Sequence, residues 1–287
     1  MSVIQSLAEN SCRQIQFIGG EPFRYRSETK AQTVLDLAEF TKKQDFSFVE
    51  IFTNGTLISA ETVKRIKDLE VSIALSIYSS NAVIHDSITQ TPGSHKRTLR
   101  AINMLIEAGV PIRAAIVAMK QNEDTIEQTL EMAQNLGLDV RVPDVVRPSG
   151  RAQETDITPS VVTLLKYGLI TKPDFSTDQV SFRRNQLYHT CLAGKIAITA
   201  DGQVIPCIFS RNNILGSLKD QELADILEST ALKETWELTK DKVLVCKDCE
   251  YRYACSDCRP LAEGLGCGKG YSNAPFPRCT YNPYTGE

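Results

Sequence analysis

The sequence predicts an α/β protein in two parts: a parallel sheet assembled from alternating strands and helices, then a small cysteine-rich domain. Three observations carry this reading. Short apolar strand patterns alternate with helical ones through the first half, which implies a parallel sheet, flat or barrel-like, with both faces covered. Small polar and turn residues gather where the strands end, and the ligands of such sheets sit at those ends. Eight of the nine cysteines lie beyond residue 190.

Taken in order, Val3, Ile4 and Leu7 have helical spacing, and a strand follows over Gln14–Gly19. It runs into Gly19-Gly20-Glu21-Pro22, a turn where backbone approaches something closely. Further strands are expected over Phe46–Thr53, Val71–Ser76, Ile112–Ala118 and Asp139–Val146. Helical patterns fill Ser27–Lys43, Ala60–Leu69, Ser94–Ala108 and Glu123–Asn135. Ser94 reads as an N-cap, and Gly109 and Gly137 as C-terminal stops. The strand ends carry Thr53-Asn54-Gly55-Thr56, Ser76-Ile77-Tyr78-Ser79-Ser80 and a segment opening at Arg147. Any one of these loops could simply connect a strand to a helix; four at one end of the sheet favour a ligand site.

The chain divides into residues 1–150, a weakly periodic helical bridge over 151–190, and residues 191–287. The last part opens with KIAITADGQVIPC, a β-hairpin turning at Asp201-Gly202. A helix is expected near Leu218–Leu238, with the single tryptophan, Trp236, as a packing anchor. The remainder is rich in Cys, Gly and Pro and needs a staple.

Composition excludes several classes. The chain is 42% hydrophobic and 23% charged, ordinary for a soluble protein. No apolar run approaches the ~18 residues of a membrane helix, and the N-terminus lacks a signal-peptide pattern. The net charge of −3 argues against a nucleic-acid footprint. A cytoplasmic protein with no membrane or nucleic-acid partner is expected.

The cysteines read CX10GX4C from Cys191 to Cys207, then CX2CX5CX2C over Cys246, Cys249, Cys255 and Cys258, then Cys267 and Cys279. An odd count with no export signal disfavours a disulfide framework. Thiolate pairs two residues apart suit metal centres, and further cysteines on either side supply ligands for two. Spacing allows structural zinc or iron–sulfur clusters, and the lack of an interspersed histidine leans towards clusters. His189, the nearest histidine, reads as a loop residue. Cys12 reads as buried and structural.

Together these motifs resemble the radical SAM family with a C-terminal SPASM domain. Gly19-Gly20-Glu21-Pro22 matches the family's GGEP turn, whose backbone groups hold the amino group of S-adenosylmethionine (SAM). Ser76 matches a ribose-contacting serine, and the resemblance extends the SAM site to Thr53, Asn54 and Arg147. SIYSSNAVIHDSITQTPGSHKRTL is similar to the same region of peptide-modifying members. The resemblance implies two auxiliary [4Fe–4S] clusters, one on Cys191, Cys207 and Cys258, with Cys267 a candidate fourth ligand. The other falls on Cys246, Cys249, Cys255 and Cys279. The family usually has three residues before the fourth cysteine of the central run; here there are two, Ser256 and Asp257. That leaves Cys258 and Cys267 as competing assignments.

The family's SAM-cleaving cluster is held by CX3CX2C just after the first strand. Only Cys12 precedes Gln14 here, and a strand–loop–helix–strand unit needs ~30 residues. The implied fold is therefore a partial (β/α)6 TIM-like barrel lacking its first strand, with a small SPASM domain. The chain as given is expected not to bind the catalytic cluster and to be inactive in SAM cleavage, with an incomplete SAM site. The implied function is that of a peptide maturase using radical chemistry to modify or cross-link a ribosomally made precursor peptide. Its reductant would be a flavodoxin or ferredoxin. Alternatives are a non-catalytic relative that binds a peptide or partner, and a zinc-stapled α/β protein. No catalytic base is identified; Tyr78, His85 and Asp86 lie near the right loops, and His85-Asp86 could equally cap the following segment.

Overall fold

The structure, a computed structural model, describes residues 1–27, 31–140, 143–147, 157–169, 176–265 and 273–286. It divides into two compact units, Met1–Val146 with Asp156–Thr163, and Arg147–Thr155 with Leu164–Glu287.

The first unit runs α1 (Ser2–Glu9), β1 (Gln14–Phe17), α2 (Val34–Lys42), β2 (Phe48–Thr53), α3 (Ala60–Asp68) and β3 (Ser72–Ile77). It continues through α4 (Ala82–Thr89), α5 (Ser94–Glu107), β4 (Ile112–Ala118), α6 (Ile126–Asn135), β5 (Asp139–Val140) and β6 (Asp144–Val145). Every pairing in this sheet is parallel, in the order β1-β2-β3-β4-β5, with β6 on β4. Strand order follows chain order without reversal. That is the winding of a barrel rather than of a doubly wound sheet, which has a switch point.

The two sheet faces differ in kind. Val49, Ile51, Ile73, Leu75, Ile77, Ala114, Ile116 and Ala118 are almost fully buried on one face. The other carries Glu50, Phe52, Ser72, Ala74, Ser76, Arg113 and Ala115, several of them half-exposed. Strand alternation makes this division, and the registers Glu50 with Ser72 and Ala74 with Arg113 keep it across strands.

Several expectations are corrected. The first strand ends at Phe17, because Gly19 and Gly20 turn to positive φ. The expected Asp139–Val146 strand is two short segments, with residues 141 and 142 outside the described set. Within the expected Ser27–Lys43 helix, of which residues 28–30 lie outside the described set, α2 starts at Val34, where Thr33 and Asp36 form a capping box. Residues Ala82–Thr89 form a helix started by Asn81, whose Oδ1 accepts from the Val83 and Ile84 N–H groups. Ser94 is the first residue of α5, not its cap; the carboxylate of Asp86 does that work. It accepts from Gly93 N–H at 2.5 Å, Ser94 Oγ at 2.9 Å and His95 N–H at 2.8 Å. The His95 N–H, then the Gly93 N–H and Ser94 hydroxyl, hold the Asp86 carboxyl down at about 2 against the opposing effect of burial. Cys12 is half-buried, its Sγ 3.3 Å from the Gln14 carbonyl.

The second unit holds α8 (Gln179–Leu187) and an antiparallel sheet of β7 (Ala197–Ile198), β8 (Gln203–Ile205) and β9 (Gly216–Ser217). The hairpin turns at Asp201-Gly202 as expected; β9 was not foreseen. The helix expected over Leu218–Leu238 is two, α9 (Leu223–Glu228) and α10 (Thr230–Trp236). Ser229 separates them: its backbone is extended and its hydroxyl caps α10. Trp236, expected as a packing anchor, is half-buried, and its Nε1 donates to the Lys195 carbonyl at 3.0 Å. The short helices α7 (Val161–Lys166), between the sheets in sequence, and α11 (Arg259–Leu265) complete the elements used below. Among the described residues no helix is long and apolar enough to cross a membrane.

Candidate functional site

In the first unit, the ends of β1 and β2 are tied together by one side chain. Glu21 accepts from Thr53 Oγ1 at 2.6 Å, Asn54 N–H at 2.9 Å and Phe23 N–H at 3.1 Å. Thr53 is buried, and its Oγ1 also accepts from Gly55 N–H at 3.0 Å. Asn54 holds the next turn, its Oδ1 accepting from Thr56 N–H at 2.9 Å and Thr56 Oγ1 at 2.7 Å. The Glu21 carboxylate is therefore a clasp between two loops, a role that the backbone reading of the turn did not include. Gly19 and Gly20 have φ of +98° and +53°, and a Cβ on either would meet no atom within 4 Å. Conformation rather than crowding demands glycine here, and the turn faces open space rather than packed protein. Pro22 opens a 3₁₀ turn, Pro22–Arg24, that buries Phe23.

Glu21→Ala should cost about 2 kcal/mol, because it strands buried Thr53 Oγ1 and two backbone N–H groups that had a charged acceptor. Glu21→Gln keeps one acceptor oxygen and should recover part of that. Urea denaturation of the three proteins checks the ranking.

Ser76 stands on β3 on the half-exposed sheet face, one alternation beyond Ala74. Beyond that strand end, Tyr78 packs edge-to-face on His85 with ring centroids 5.6 Å apart. Asn122 Nδ2 donates to the Tyr78 carbonyl at 2.6 Å and to the Val117 carbonyl at 2.9 Å, joining the ends of β3 and β4. His85 is buried and Asp86 is committed to capping α5, so the capping alternative for this pair is the one observed.

Arg147 belongs to the second unit. Its guanidinium lies 4.5 Å from the centroid of the Phe209 ring. Two thiols of this unit, Cys207 and Cys249, each feel the charge of particular other cysteines. Burial pushes the Cys207 thiol up; the Phe209 N–H opposes this, and the neighbouring Cys191 and Cys258 charges add to it. Cys249 is pushed up by burial, with the Tyr251 N–H opposing and Glu250, Cys246 and Cys279 adding. Cys191 and Cys279 are exposed, Cys249 is buried, and Cys207, Cys246, Cys255 and Cys258 are half-buried. Cys267 lies outside the described residues.

Cys279 reaches the Cys246–Cys249 turn because two tyrosines tie the chain end back to it. Tyr281 Oη donates to Glu250 at 2.5 Å, and Tyr284 Oη to Asp248 at 2.6 Å. The Glu250 carboxylate raises the Tyr281 hydroxyl to about 12. Sequence reasoning passed over both tyrosines; a Tyr two residues after a candidate ligand, facing an acidic CX2C turn, was the available signal. His189 does lie in a loop, as expected, but its side chain is buried, 2% exposed, which the sequence did not show. His189 Nδ1 accepts from Cys191 N–H at 3.0 Å and Leu192 N–H at 3.1 Å.

Among the described residues no three Cys, His, Asp or Glu side chains converge on one point as ligands of a single ion must. Cys207 nevertheless feels the charge of Cys191 and Cys258, and Cys249 that of Cys246 and Cys279. Soft thiolate donors suit an iron–sulfur cluster, which spreads its ligands over several irons instead of gathering them on one ion.

Comparison with known proteins agrees with this geometry. Residues 1–133 match the Radical SAM superfamily, and residues 190–259 match the SPASM iron-sulfur cluster-binding domain. The AdoMet-dependent heme synthase of Methanosarcina barkeri is 25% identical over 295 residues, covering 92% of this chain and 81% of its own. The antilisterial bacteriocin subtilosin biosynthesis protein AlbA of Bacillus subtilis is 25% identical over 248 residues. That match covers 80% of this chain, which spans only 52% of AlbA. In structure, Streptococcus suis SuiB bound to precursor peptide SuiA superposes with a TM-score of 0.71 at 15% identity, over 97% of this chain and 68% of that one. The chain belongs to the radical SAM superfamily, and its second unit carries a SPASM iron–sulfur cluster-binding domain.

Proposed function

We propose that the chain is the core of a maturase that modifies or cross-links a ribosomally made precursor peptide by SAM-dependent radical chemistry. The observation that carries the cluster part of this reading is that Cys207 feels the charge of Cys191 and Cys258, while Cys249 feels that of Cys246 and Cys279; Cys255 joins the second set by its place in the CX2CX5CX2C run. Cys191, Cys207 and Cys258 would hold one auxiliary [4Fe–4S] cluster; Cys246, Cys249, Cys255 and Cys279 would hold the other. The charge felt between Cys258 and Cys207 supports Cys258 in the first group. Bound there, the clusters supply electron transfer and an iron that can take a substrate thiolate.

The chain's own residues position the reactants. The Gly19–Pro22 turn would receive the SAM amino group, Glu21 fixing it against Thr53 and Asn54, with Ser76 offering its hydroxyl to the ribose. Arg147 is proposed to contribute positive charge near Cys207. AlbA, named for subtilosin biosynthesis, and SuiB, seen with its precursor peptide, support a peptide substrate. The Methanosarcina barkeri heme synthase matches 92% of the chain against 80% for AlbA. That favours, as a second reading, a radical step on a haem precursor. A flavodoxin or ferredoxin in the cytoplasm would supply the electron.

No CX3CX2C occurs in these 287 residues, so this chain by itself is proposed not to cleave SAM. The test is iron and acid-labile sulfide per chain after anaerobic reconstitution, followed by SAM and dithionite with assay of 5′-deoxyadenosine. About eight irons and no product are expected. About twelve irons, or product, overturns the proposed inactivity, and near-zero iron overturns the two-cluster reading. Precursor peptide and haem precursor are then compared by their binding to the reconstituted chain; retention of the haem precursor alone favours the second reading.

A further inference from the structure

Behind the first cysteine group lies a buried polar network that nothing above uses. His189, Asp257 and Arg259 are 2%, 6% and 1% exposed. His189 Nδ1 takes the backbone N–H groups of Cys191 and Leu192. The backbone N–H of His189 donates to the Trp236 carbonyl at 2.7 Å, which fixes the residue to the end of α10. Asp257 Oδ1 takes the backbone N–H of Cys258 at 2.8 Å and the Arg259 guanidinium at 2.6 Å. Asp257 N–H donates to Thr190 Oγ1 at 3.1 Å, stitching the two cysteine segments directly. Arg259 also donates to the Ala274 carbonyl at 2.7 Å. One circuit thus runs from the amide of Cys191, through His189, Asp257 and Thr190, to the amide of Cys258.

The closing contact is His189 Nε2 to Asp257 Oδ2 at 3.6 Å, longer than a hydrogen bond. Neither atom has a hydrogen-bond partner among the described residues. Beside them is a cavity of ≈ 10 Å³ bordered by Thr190, Thr239 and Lys240, the size of a single bridging water. Burying an acid, a guanidinium and an imidazole together is costly unless each is paired. Such a network persists when it holds something in place.

The second cysteine group is held differently. Its outlying ligand Cys279 is returned by Tyr281 and Tyr284 on exposed carboxylates, contacts that are hydrated and weak.

We infer that His189, Asp257 and Arg259 are positioning residues that hold the Cys191–Cys207–Cys258 site in its ligating arrangement. As a result, the cluster on that site outlasts the one on Cys246–Cys249–Cys255–Cys279 when iron is withdrawn. The inference rests on the two-cluster reading.

The test uses the full chain, reconstituted anaerobically and challenged with an iron chelator. Iron per chain and the electron paramagnetic resonance spectrum of the dithionite-reduced protein are followed together. The wild type should fall from about eight irons to a plateau near four, with one cluster spectrum surviving. His189→Gln places its polar atoms at the Nε2 position and loses the acceptor for Cys191 and Leu192. Its plateau should decay at least about tenfold faster, the usual scale for losing a partner behind a metal ligand. His189→Asn returns an oxygen to the Nδ1 position and should restore most of the plateau and the surviving spectrum, which general loosening of the domain would not do. Equal decay and identical spectra in wild type and His189→Gln overturn the network. So does a wild type that loses both clusters at one rate. A wild type that takes up no iron overturns the cluster reading instead.

Discussion

Arg113→Leu should lower stability by about 3 kcal/mol, the largest loss from any single substitution in the first unit's polar face. Glu50 is 3% exposed, in the middle of β2. Arg113 answers it from β4 across the intervening strand, with Nε and an Nη each 2.9 Å from a carboxylate oxygen. Gln16, on β1, donates to the same carboxylate. The two ends of the pair are not equivalent. The Arg113 side chain is 32% exposed against 5% for Glu50, so a lone arginine could hydrate and a lone carboxylate could not. Glu50→Gln should therefore cost about 1 kcal/mol, well under half the loss from Arg113→Leu. The double variant Glu50→Leu/Arg113→Leu should regain most of the loss, since two apolar groups leave no buried charge. Urea denaturation of all four proteins closes the cycle. A loss under about 1 kcal/mol for Arg113→Leu would mean that water reaches Glu50. The pair matters to the site because Gln16, Glu50 and Arg113 share a face with Ser76 and lie one to two turns of the pleat beneath the strand ends where SAM is proposed to bind.

The sequence made the alternation of strands and helices legible because each strand is short, apolar on the buried face and closed by turn residues. Ile112–Ala118 was placed to the residue for that reason. The misses share a physical cause, which is that particular side-chain partners, near or far in sequence, decided them. Ala82–Thr89 looks weakly helical, and it forms because Asn81 caps it and buried His85 anchors it. Ser94 has the composition of a cap, but Asp86, eight residues earlier, supplies a stronger acceptor. Leu218–Leu238 carries enough apolar residues for one helix, and Ser229 divides it by capping its second half. The cysteine spacing announced metal chemistry, which the SPASM match bears out. It could not show that His189 and Asp257 tie two cysteine segments together, because 68 residues of chain separate them and spacing fixes the cysteines without saying what the residues between and before them touch. Likewise Glu21 was legible as part of a turn, while its bonds to Thr53 and Asn54 belong to the fold.

Acid should loosen the same end of the sheet through His85. This imidazole is buried on α4, 5.3 Å from the ring of His95 and close to Asp86, with Tyr78 N–H donating to its Nδ1 at 3.4 Å. Burial above all, then the neighbouring His95, hold it down at about 4, while Asp86 and a backbone contact at Ser79 pull the other way. The unfolded chain takes that proton near pH 6.5. Between about 6.5 and 4 the unfolded state binds more protons, so stability present above the upper value drains away as pH falls through the window. The loss from this group alone is about 3 kcal/mol, complete near pH 4. Asp86 and Asp36, both held at about 2, respond at lower pH and leave most of the window to His85. Phenylalanine at this position keeps an aromatic ring against Tyr78 and His95 but cannot take a proton. His85→Phe should therefore start less stable at pH 7, having lost the acceptor for Tyr78 N–H, and should change little between pH 6.5 and 4. Urea denaturation at half-unit steps gives both curves. Their difference should close by about 3 kcal/mol on acidification. Parallel curves would show that the buried imidazole is already reached by solvent, and that the Tyr78–Asp86 segment behind the Ser76 strand end is held by contacts other than this one.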